Sequence, residues 1–210
     1  MRSYPSSSMT ADTYRLFVGL QLTQEAQEVM TIWKDTLEQL LPFSKWTHPL
    51  DVHITLKFLG NTTAEIADLL TSDLRQMAAA SSPLVLHVEG LGVFGPQAAP
   101  SILWAGVGGD LSALNKLQHK VEDACNRRGF ATEARPYRPH LTLARRFRAA
   151  SGPFQRSWLE VEAPTGGWPT WQAGDIVLYR SHLGQQPAYE RLDVFPLGDL
   201  VPSNQAIPVN

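Results

Sequence analysis

Two separate segments of the chain carry the pattern H-x-T-L, one beginning at His53 and the other at His140. An imidazole has an unperturbed pKa near about 6.5, so close to neutral pH one histidine can take a proton while another gives one. The hydroxyls of Thr55 and Thr142 can hydrogen-bond the oxygens of a phosphate. The residue types therefore point to acid–base chemistry on a phosphate ester, with His53 and His140 as the candidate catalytic residues.

Each motif alternates between polar and apolar residues, as in a β-strand with one buried face. Residues i and i+2 of a strand point to the same face, about 6.6 Å apart along the chain. His53 and Thr55 therefore share a face, while Ile54 anchors the strand from behind. Two such strands side by side would bring two imidazoles and two hydroxyls to one cleft.

Two other interpretations of the motifs stay open. A lone His-x-Thr in a strand is more often structural, although its duplication argues against this interpretation. Histidine is also a common metal ligand, but neither H-E-x-x-H nor C-x-x-C accompanies the motifs, and His48 is no convincing third ligand. We therefore expect no metal and no other cofactor. The remaining histidines lack a partner pattern and are interpreted as surface or packed residues: His48, His87, His119 and His182.

Further residues near the motifs are candidates for substrate contacts. The positive charge of Arg145, or of Lys57, could stabilise a developing negative charge. Phe17, Tyr137 and Tyr189 could stack on a base, and the alternative is that they are core aromatics, which we favour for Phe17.

These residues resemble the 2H phosphoesterase superfamily, named for two H-x-T/S motifs, and most of all its RNA 2',3'-cyclic phosphodiesterase branch, also called 2'-5' RNA ligase-like. The resemblance covers about residues 14–197. One departure is DVHITL, where the family often has N-L-H, and we expect little effect on the cleft. The similar segments are RLFVGL (15–20), VHITLKFLG (52–60), LHVEGLGVFG (86–95), ILWAGVGGDLSALNKLQ (102–118), RPYRPHLTLAR (135–145), IVLYRSHL (176–183) and FPL (195–197).

The resemblance implies a bilobal, pseudo-symmetric α+β fold, with two small antiparallel sheets lining a central cleft and helices outside. It implies hydrolysis of an RNA 2',3'-cyclic phosphate to a 2'-phosphomonoester without metal, and 2'-5' joining as the reverse reaction. It puts His53 in the proton-donor place and His140 in the proton-acceptor place, with Thr55, Thr142 and Arg145 binding phosphate. Which histidine acts as the acid still depends on the orientation of the substrate.

Two other functions remain compatible with the sequence. One is a phosphodiesterase for a small cyclic phosphate, and the other is a non-catalytic protein that binds RNA ends. The segment from Arg127 to Arg148 contains seven arginines and one acid, Glu133. These arginines could give an RNA-end binding protein its basic surface, although they could also be an ordinary solvated stretch. The net charge of −2 adds no general attraction to nucleic acid.

Strand and helix patterns follow one another in mixed order, which independently favours an α+β fold. Helices are expected after the capping residues Thr23, Thr62 and Asp110. We expect one domain over residues 13–198, flanked by tails at 1–12 and 199–210. Strands are expected at 14–20, 45–47, 53–59, 84–93, 102–107, 140–145, 175–182 and 189–197.

The composition fits a globular protein, since 43% of the 210 residues are hydrophobic. Cys125 is the only cysteine, which excludes an intrachain disulfide and fits a cytoplasmic location. No stretch approaches the roughly 18 consecutive apolar residues of a membrane span. We expect a monomer away from membranes whose partner is RNA with a cyclic phosphate end or a small nucleotide.

Overall fold

The computed structural model describes residues 13–198, and the tails expected at 1–12 and 199–210 lie outside the described residues. Strands and helices alternate irregularly in it, which confirms the α+β class. The helices are α1 (Gln24–Leu40), α2 (Ala64–Ala79) and α3 (Leu111–Arg127). The strands are β1 (Thr13–Gln21), β2 (Phe43–Trp46), β3 (His53–Thr63), β4 (Leu84–Phe94), β5 (Ile102–Gly109), β6 (His140–Phe147), β7 (Thr170–Ala173), β8 (Asp175–Ser181) and β9 (Tyr189–Pro196).

The described strands form one antiparallel sheet in the order β7-β4-β5-β6-β3-β1-β8-β9, with β2 paired to β6. Long ladders hold β3 to β1 and β6 to β5, whereas β3 and β6 meet only at the pair Ile54–Leu141. The two small sheets expected for the lobes are therefore the two halves of one continuous sheet. The junction is narrow because each motif strand pairs mainly with the neighbour in its own half.

One main core fills the space between the helices and one face of the sheet. Strand residues such as Val18, Ile54 and Leu141 point into it and are 0% exposed. Because the core takes the large aliphatic residues of the motif strands, the opposite face is left to polar and aromatic side chains. The helices add apolar stripes to the core, namely Met30, Trp33 and Leu37 of α1, Leu70 and Leu74 of α2, and Leu114 and Val121 of α3.

The three expected helices are present, but only one expected cap forms. Thr23 caps α1 by accepting from the amide of Ala26 at 3.4 Å. The cap of α2 is Thr63 instead of Thr62, which is buried at the end of β3. Asp110 precedes α3, but its carboxylate accepts from the Val85 amide of β4 at 2.8 Å and makes no cap hydrogen bond. A tertiary partner has here replaced the local one.

Both motif strands contain a β-bulge immediately after the H-x-T segment. The extra residue is Leu56 in β3 and Leu143 in β6, as the shift in register against the neighbouring strand shows. A bulge lets two successive residues point to the same side and reverses the alternation beyond it. The fifth residue after each motif histidine, Phe58 or Arg145, therefore lies on the exposed side of its strand, away from the core.

Cys125 lies on the inner side of α3 and is fully buried. Burial raises the pKa of its thiol to about 12, so the reactive thiolate is disfavoured and the residue acts as core packing. Within residues 13–198, no helix is both long enough and apolar enough to cross a membrane.

Candidate active site

His53 opens β3, directly after a short 3-10 turn at Pro49–Asp51. Its Nδ1 lies 2.7 Å from the carbonyl oxygen of Asp51. Because a carbonyl only accepts, Nδ1 carries the proton and donates it, which makes Nε2 of the neutral ring an acceptor. The hydroxyl of Thr55 donates to that Nε2 at 3.0 Å. The first motif is therefore one hydrogen-bonded unit on one face of the strand, as the alternation predicts.

His140 opens β6 in the same manner. Its Nδ1 donates to the carbonyl oxygen of Arg138 at 2.8 Å, which again belongs to the residue two positions earlier. This contact selects the same tautomer, with Nε2 as the reactive nitrogen. Thr142 lies on the same face, and both side chains are half-buried. The two motifs thus present their imidazoles by the same local device.

The two histidines lie on either side of the narrow junction of the sheet. Ile54 and Leu141 pair there, and both point into the main core. In an antiparallel strand pair, the residue that precedes one paired residue lies toward the residue that follows its partner. His53 precedes Ile54 and Thr142 follows Leu141, and the same relation holds for His140 and Thr55. His53 and His140 are therefore on the same face, each toward the threonine of the other strand.

Both imidazoles have a pKa below the ordinary value. Burial is the main cause that lowers the pKa of His53 to about 4; the hydrogen bond to the Asp51 carbonyl opposes the shift, and the nearby charges of His140 and Arg145 contribute to it. Burial also lowers the pKa of His140, the Arg138 carbonyl opposes it, and Arg145 adds to the lowering. Because the charges of His140 and Arg145 act on the His53 ring, the three groups lie near one another, and the low pKa keeps His53 neutral at pH 7 in the free protein.

Arg145 reaches the cleft because of the bulge in β6. Strict alternation would point it into the core together with Leu143. The bulge buries both Leu143 and Ala144 instead and leaves Arg145 exposed. Its charge contributes to the lowered pKa of both histidines, and it opposes the rise that burial causes in the pKa of Tyr189. Its position is the one expected for a group that binds the phosphate, and that role stays a prediction.

Aromatic rings surround His53. Its ring centroid lies 4.7 Å from that of Phe17, 5.2 Å from Tyr189 and 5.5 Å from Tyr179. Phe17 is 4% exposed and belongs to a small second core with Val177 and Tyr179. Phe17 is therefore a core aromatic that packs against the His53 ring, which is the interpretation favoured for it from the sequence. Tyr189 is only half-buried and lies at the cleft, so its contact with a substrate stays a prediction.

Asp51 ties the His53 side of the cleft together, a role that residue spacing did not predict. The residue is 5% exposed, and its carboxylate accepts from the amides of Ala188 at 2.8 Å and Tyr189 at 3.0 Å. Its carbonyl also holds the His53 ring. The only signal in the sequence was the departure from the family's N-L-H pattern at this place.

Two other aromatic rings lie beside His140. Phe94 of β4 meets it edge to face at 5.0 Å, and Trp104 of β5 lies 6.3 Å away. Trp104 pairs with Thr142 across the strands, so its position depends on the register of the sheet. No local pattern predicts how these strands pair, and neither residue was predicted to be part of the site.

The predicted substrate contacts of Lys57 and Tyr137 need correction. Lys57 is 6% exposed and forms an ion pair with Glu122 of α3, because the bulge at Leu56 turns it away from the cleft. The prediction for Lys57 was therefore wrong. Tyr137 packs against the main core, and its hydroxyl is buried without a partner among the described residues. The core alternative holds for Tyr137.

The arginine-rich stretch does not form one basic surface. Arg128, at the end of α3, binds Asp73 of α2 through two contacts of 2.7 and 2.8 Å on the helical side of the sheet. Arg145 lies on the opposite, cleft side. Arg135 is paired with Glu133 at 3.3 Å. The sheet separates these charges, so a binding surface built from all of them is excluded.

A metal centre finds no support in the grouping of ligands. Within residues 13–198, no three His, Cys, Asp or Glu side chains are placed together as a set of metal ligands. His48 instead accepts from the amide of Leu50 through Nδ1 at 3.3 Å. Independence from metal stays a prediction that must be tested with a chelator.

The fold has close counterparts among solved structures. Escherichia coli LigT in its apo form superposes with a TM-score of 0.69 at 21% identity, covering 90% of this chain and 100% of that one. A crystal structure described as a phosphoesterase gives a TM-score of 0.70, also at 21% identity, with the same coverage of 90% and 100%. At this level of identity, the likeness shows the fold.

Sequence comparison shows the family. RNA 2',3'-cyclic phosphodiesterase of Bacillus subtilis is 33% identical over 165 residues, covering 76% of this chain and 84% of the relative. The enzyme of the same name from Geobacillus stearothermophilus is 37% identical over 181 residues, or 86% of this chain, which spans only 56% of that relative's length. The model of the 2'-5' RNA ligase superfamily matches residues 24–185. The chain therefore belongs to the 2'-5' RNA ligase superfamily.

Proposed function

We propose that this protein is an RNA 2',3'-cyclic phosphodiesterase that opens the cyclic phosphate to a 2'-phosphomonoester. One observation carries the proposal. Two imidazoles, each fixed through Nδ1 by a backbone carbonyl, present Nε2 on the same face of the sheet with Arg145 beside them. The names of the relatives from Bacillus subtilis and Geobacillus stearothermophilus support RNA as the substrate.

The reaction needs one base and one acid. Water attacks the phosphorus while the bond from phosphorus to the ribose 3' oxygen breaks. Nε2 of His140 takes the proton of the water, and Nε2 of His53 gives a proton to the 3' oxygen, following the family's assignment. His53 must be protonated to do this, and the negative charge of a bound phosphate raises its pKa toward neutrality. The Thr55 hydroxyl is then free to turn from Nε2 to a phosphate oxygen.

The remaining side chains hold the phosphate. Thr55 and Thr142 supply neutral donors, and Arg145 supplies a guanidinium that can pair with the oxygens on which negative charge develops. The phenols of buried Tyr179 and half-buried Tyr189 stay protonated, since burial raises the pKa of both. Joining of 2'-5' ends would be the same chemistry in reverse.

We also propose a monomer located in the cytoplasm, in agreement with the single buried cysteine.

The test uses an oligonucleotide that ends in a 2',3'-cyclic phosphate, incubated with the protein in excess EDTA. Phosphorus NMR should show the cyclic resonance replaced by that of a 2'-monoester. A free 2',3'-cyclic mononucleotide is tested in parallel. Faster turnover of the mononucleotide would indicate that small cyclic phosphates, and not RNA ends, are the substrates. Loss of turnover in EDTA, or a 3'-monoester product, would overturn the proposed reaction, and binding without any turnover would leave only an RNA-end binding protein.

A further inference from the structure

Phe58 is a large aromatic residue that stands in solvent on the cleft side of β3. The residue is 68% exposed, whereas the next residue, Leu59, belongs to the main core. Successive residues of a strand point to opposite faces, so Phe58 points to the face that carries His53 and Thr55. The ring is therefore accessible to a ligand without the displacement of any packed side chain.

The buried ring of Phe17 connects Phe58 with the active site. Phe17 of β1 pairs with Phe58 across the strands, and their ring centroids lie 6.2 Å apart. The same Phe17 ring lies 4.7 Å from the ring of His53. Thr55 lies between His53 and Phe58 on the same face of β3. A phosphate bound at His53 and Thr55 is therefore separated from the exposed ring by the width of one buried ring, a gap that a ribose can span.

Phe58 has the same position relative to the first motif as Arg145 has relative to the second. Each is the fifth residue after the motif histidine, and each follows a bulge on the exposed side of its strand. Because the strands are antiparallel at their junction, the two residues lie beyond opposite ends of the paired motifs. A phosphate held between the motifs therefore has a guanidinium toward one end and a phenyl ring toward the other. The guanidinium suits phosphate oxygens, and the phenyl ring suits the flat face of a base.

The proposed reaction indicates which way the nucleoside points. His53 gives its proton to the ribose 3' oxygen, so the ribose lies on the His53 side of the phosphorus, opposite the attacking water. This is the side of β3, β1, β8 and β9 in the sheet, whereas β6, β5 and β4 lie on the other side. Of the four rings that pack around His53 and Phe17, Phe17 itself and Tyr179 are buried, and Tyr189 is half-buried. Phe58 is the one of these four that exposes most of its surface to a base.

We propose that Phe58 is a substrate-binding residue whose exposed ring stacks on the base of the terminal nucleotide. The proposal rests on the proposed function, because the ribose joins this base to the phosphate at the two histidines. A phenyl ring carries neither a hydrogen-bond donor nor an acceptor, and every base has a flat face on which it can stack. Phe58 should therefore strengthen the binding of all four nucleotides without selecting one of them.

The experiment removes the ring and the base separately. Two oligonucleotides end in a 2',3'-cyclic phosphate, one on a terminal adenosine and the other on a terminal 1-deoxyribose that lacks the base. Phe58→Ala should lower kcat/KM for the adenosine substrate by about 5- to 100-fold, the usual effect of removing one base-stacking ring. The loss should lie mainly in KM, because stacking acts equally on the ground state and the transition state. The same variant should match the wild type on the substrate without a base, and Phe58→Trp should restore the adenosine value.

The matched control is Ile32→Ala on α1, because Ile32 is 70% exposed on the helical side of the sheet. It should leave kcat/KM unchanged for both substrates, and melting curves should show that all variants are folded. An unchanged kcat/KM of Phe58→Ala on the adenosine substrate would overturn the proposal. An equal loss on the substrate without a base would also overturn it, since the ring would then act on the site and not on a base. A wild-type dimer that Phe58→Ala converts to a monomer, with kcat/KM kept, would assign the ring to a contact between two copies instead.

Binding measurements separate this proposal from the reaction itself. Isothermal titration with adenosine 2'-monophosphate and with ribose 2-phosphate needs no turnover. Weaker binding of the nucleotide to Phe58→Ala, with unchanged binding of the ribose phosphate, supports the base site even for an inactive protein, in which case the proposed function alone fails. Equal binding of the nucleotide to wild type and Phe58→Ala, in a protein that hydrolyses the cyclic phosphate, would overturn the base site while the phosphodiesterase reaction stands.

Discussion

The part of the cleft that β3 carries, with His53 and Thr55, and the part that β6 carries, with His140 and Thr142, have the same local arrangement of residues. We call the two parts the β3 half and the β6 half, and the shared arrangement the frame. In each, a histidine opens the strand, its Nδ1 donates to the carbonyl two residues earlier, and a threonine follows on the same face. In each, a bulge occurs at the third residue after the histidine. A repeated frame of this kind gives both imidazoles the same tautomer and places them on the same face of the sheet.

The halves differ in the residues beyond the bulge. The fifth residue after the histidine is Phe58 in β3, which is 68% exposed, and Arg145 in β6. The fourth is Lys57, buried in an ion pair with α3, against the small Ala144. Of these four residues, Arg145 of β6 alone brings a positive charge to the cleft, while the β3 half is held by aromatic rings and by Asp51. The frame gives each half one histidine able to transfer a proton. The residues beyond the frame make the two halves different, because they bring a guanidinium to one half and not to the other.

Removal of either imidazole should have the largest effect. His53→Asn or His140→Asn should each lower kcat by about 10²–10⁴-fold, because each removes one proton-transfer group. The double variant should be little worse than either single one, since the two act in one step. Steady-state kinetics gives the values, and an unchanged melting curve excludes unfolding. A single variant with near-normal kcat would break the equivalence of the halves.

Arg145→Gln should come next, because a charge-assisted hydrogen bond contributes about 1.5–3 kcal/mol, or about 10- to 100-fold in kcat/KM. The positive charge of Arg145 lowers the pKa of both histidines, so its removal should raise both. NMR titration of the imidazole carbons in the free protein measures this shift. Arg148→Gln is the control, because Arg148 is an exposed arginine directly after β6. It should change neither kcat/KM nor the pKa of the two histidines.

Asp51→Asn tests the support that only the β3 half possesses. The amide would turn a donor toward one of the two backbone amides from which Asp51 now accepts, leaving a buried group unpaired. Such a group costs about 1–3 kcal/mol of the free energy of unfolding, and kcat should fall as the His53 wall loosens. Arg138→Ala changes the equivalent residue of the β6 half and should have little effect on stability. Equal destabilisation in the two halves would contradict the asymmetry.

The smallest effects are expected for the hydroxyls. Thr55→Val and Thr142→Val each remove one neutral hydrogen bond, which is worth about 0.5–1.5 kcal/mol. The loss in kcat/KM should therefore stay near tenfold or below in both halves. Thr55→Val alone should also alter the titration of His53 in the free protein, because Thr55 is the threonine that contacts an imidazole there. A loss of several orders of magnitude would give the threonine a part in proton transfer.

The sequence by itself determined the two histidine–threonine pairs, the mixed order of strands and helices, and the apolar faces that form the core. These features depend on the spacing of neighbouring residues, and a strand fixes the relation of i to i+2 without help from the rest of the chain. The placement of His53 and Thr55 on one face needed nothing more.

Only the tertiary structure decided which other residues join the histidines. The bulges sent Lys57 into the core and Arg145 into the cleft, and they arise from the pairing of each strand with its neighbour. Asp51 meets Tyr189 across 138 positions of the chain, and Trp104 reaches Thr142 through strand register. Such contacts depend on how distant strands align, which residue spacing along a single chain does not encode in any local pattern.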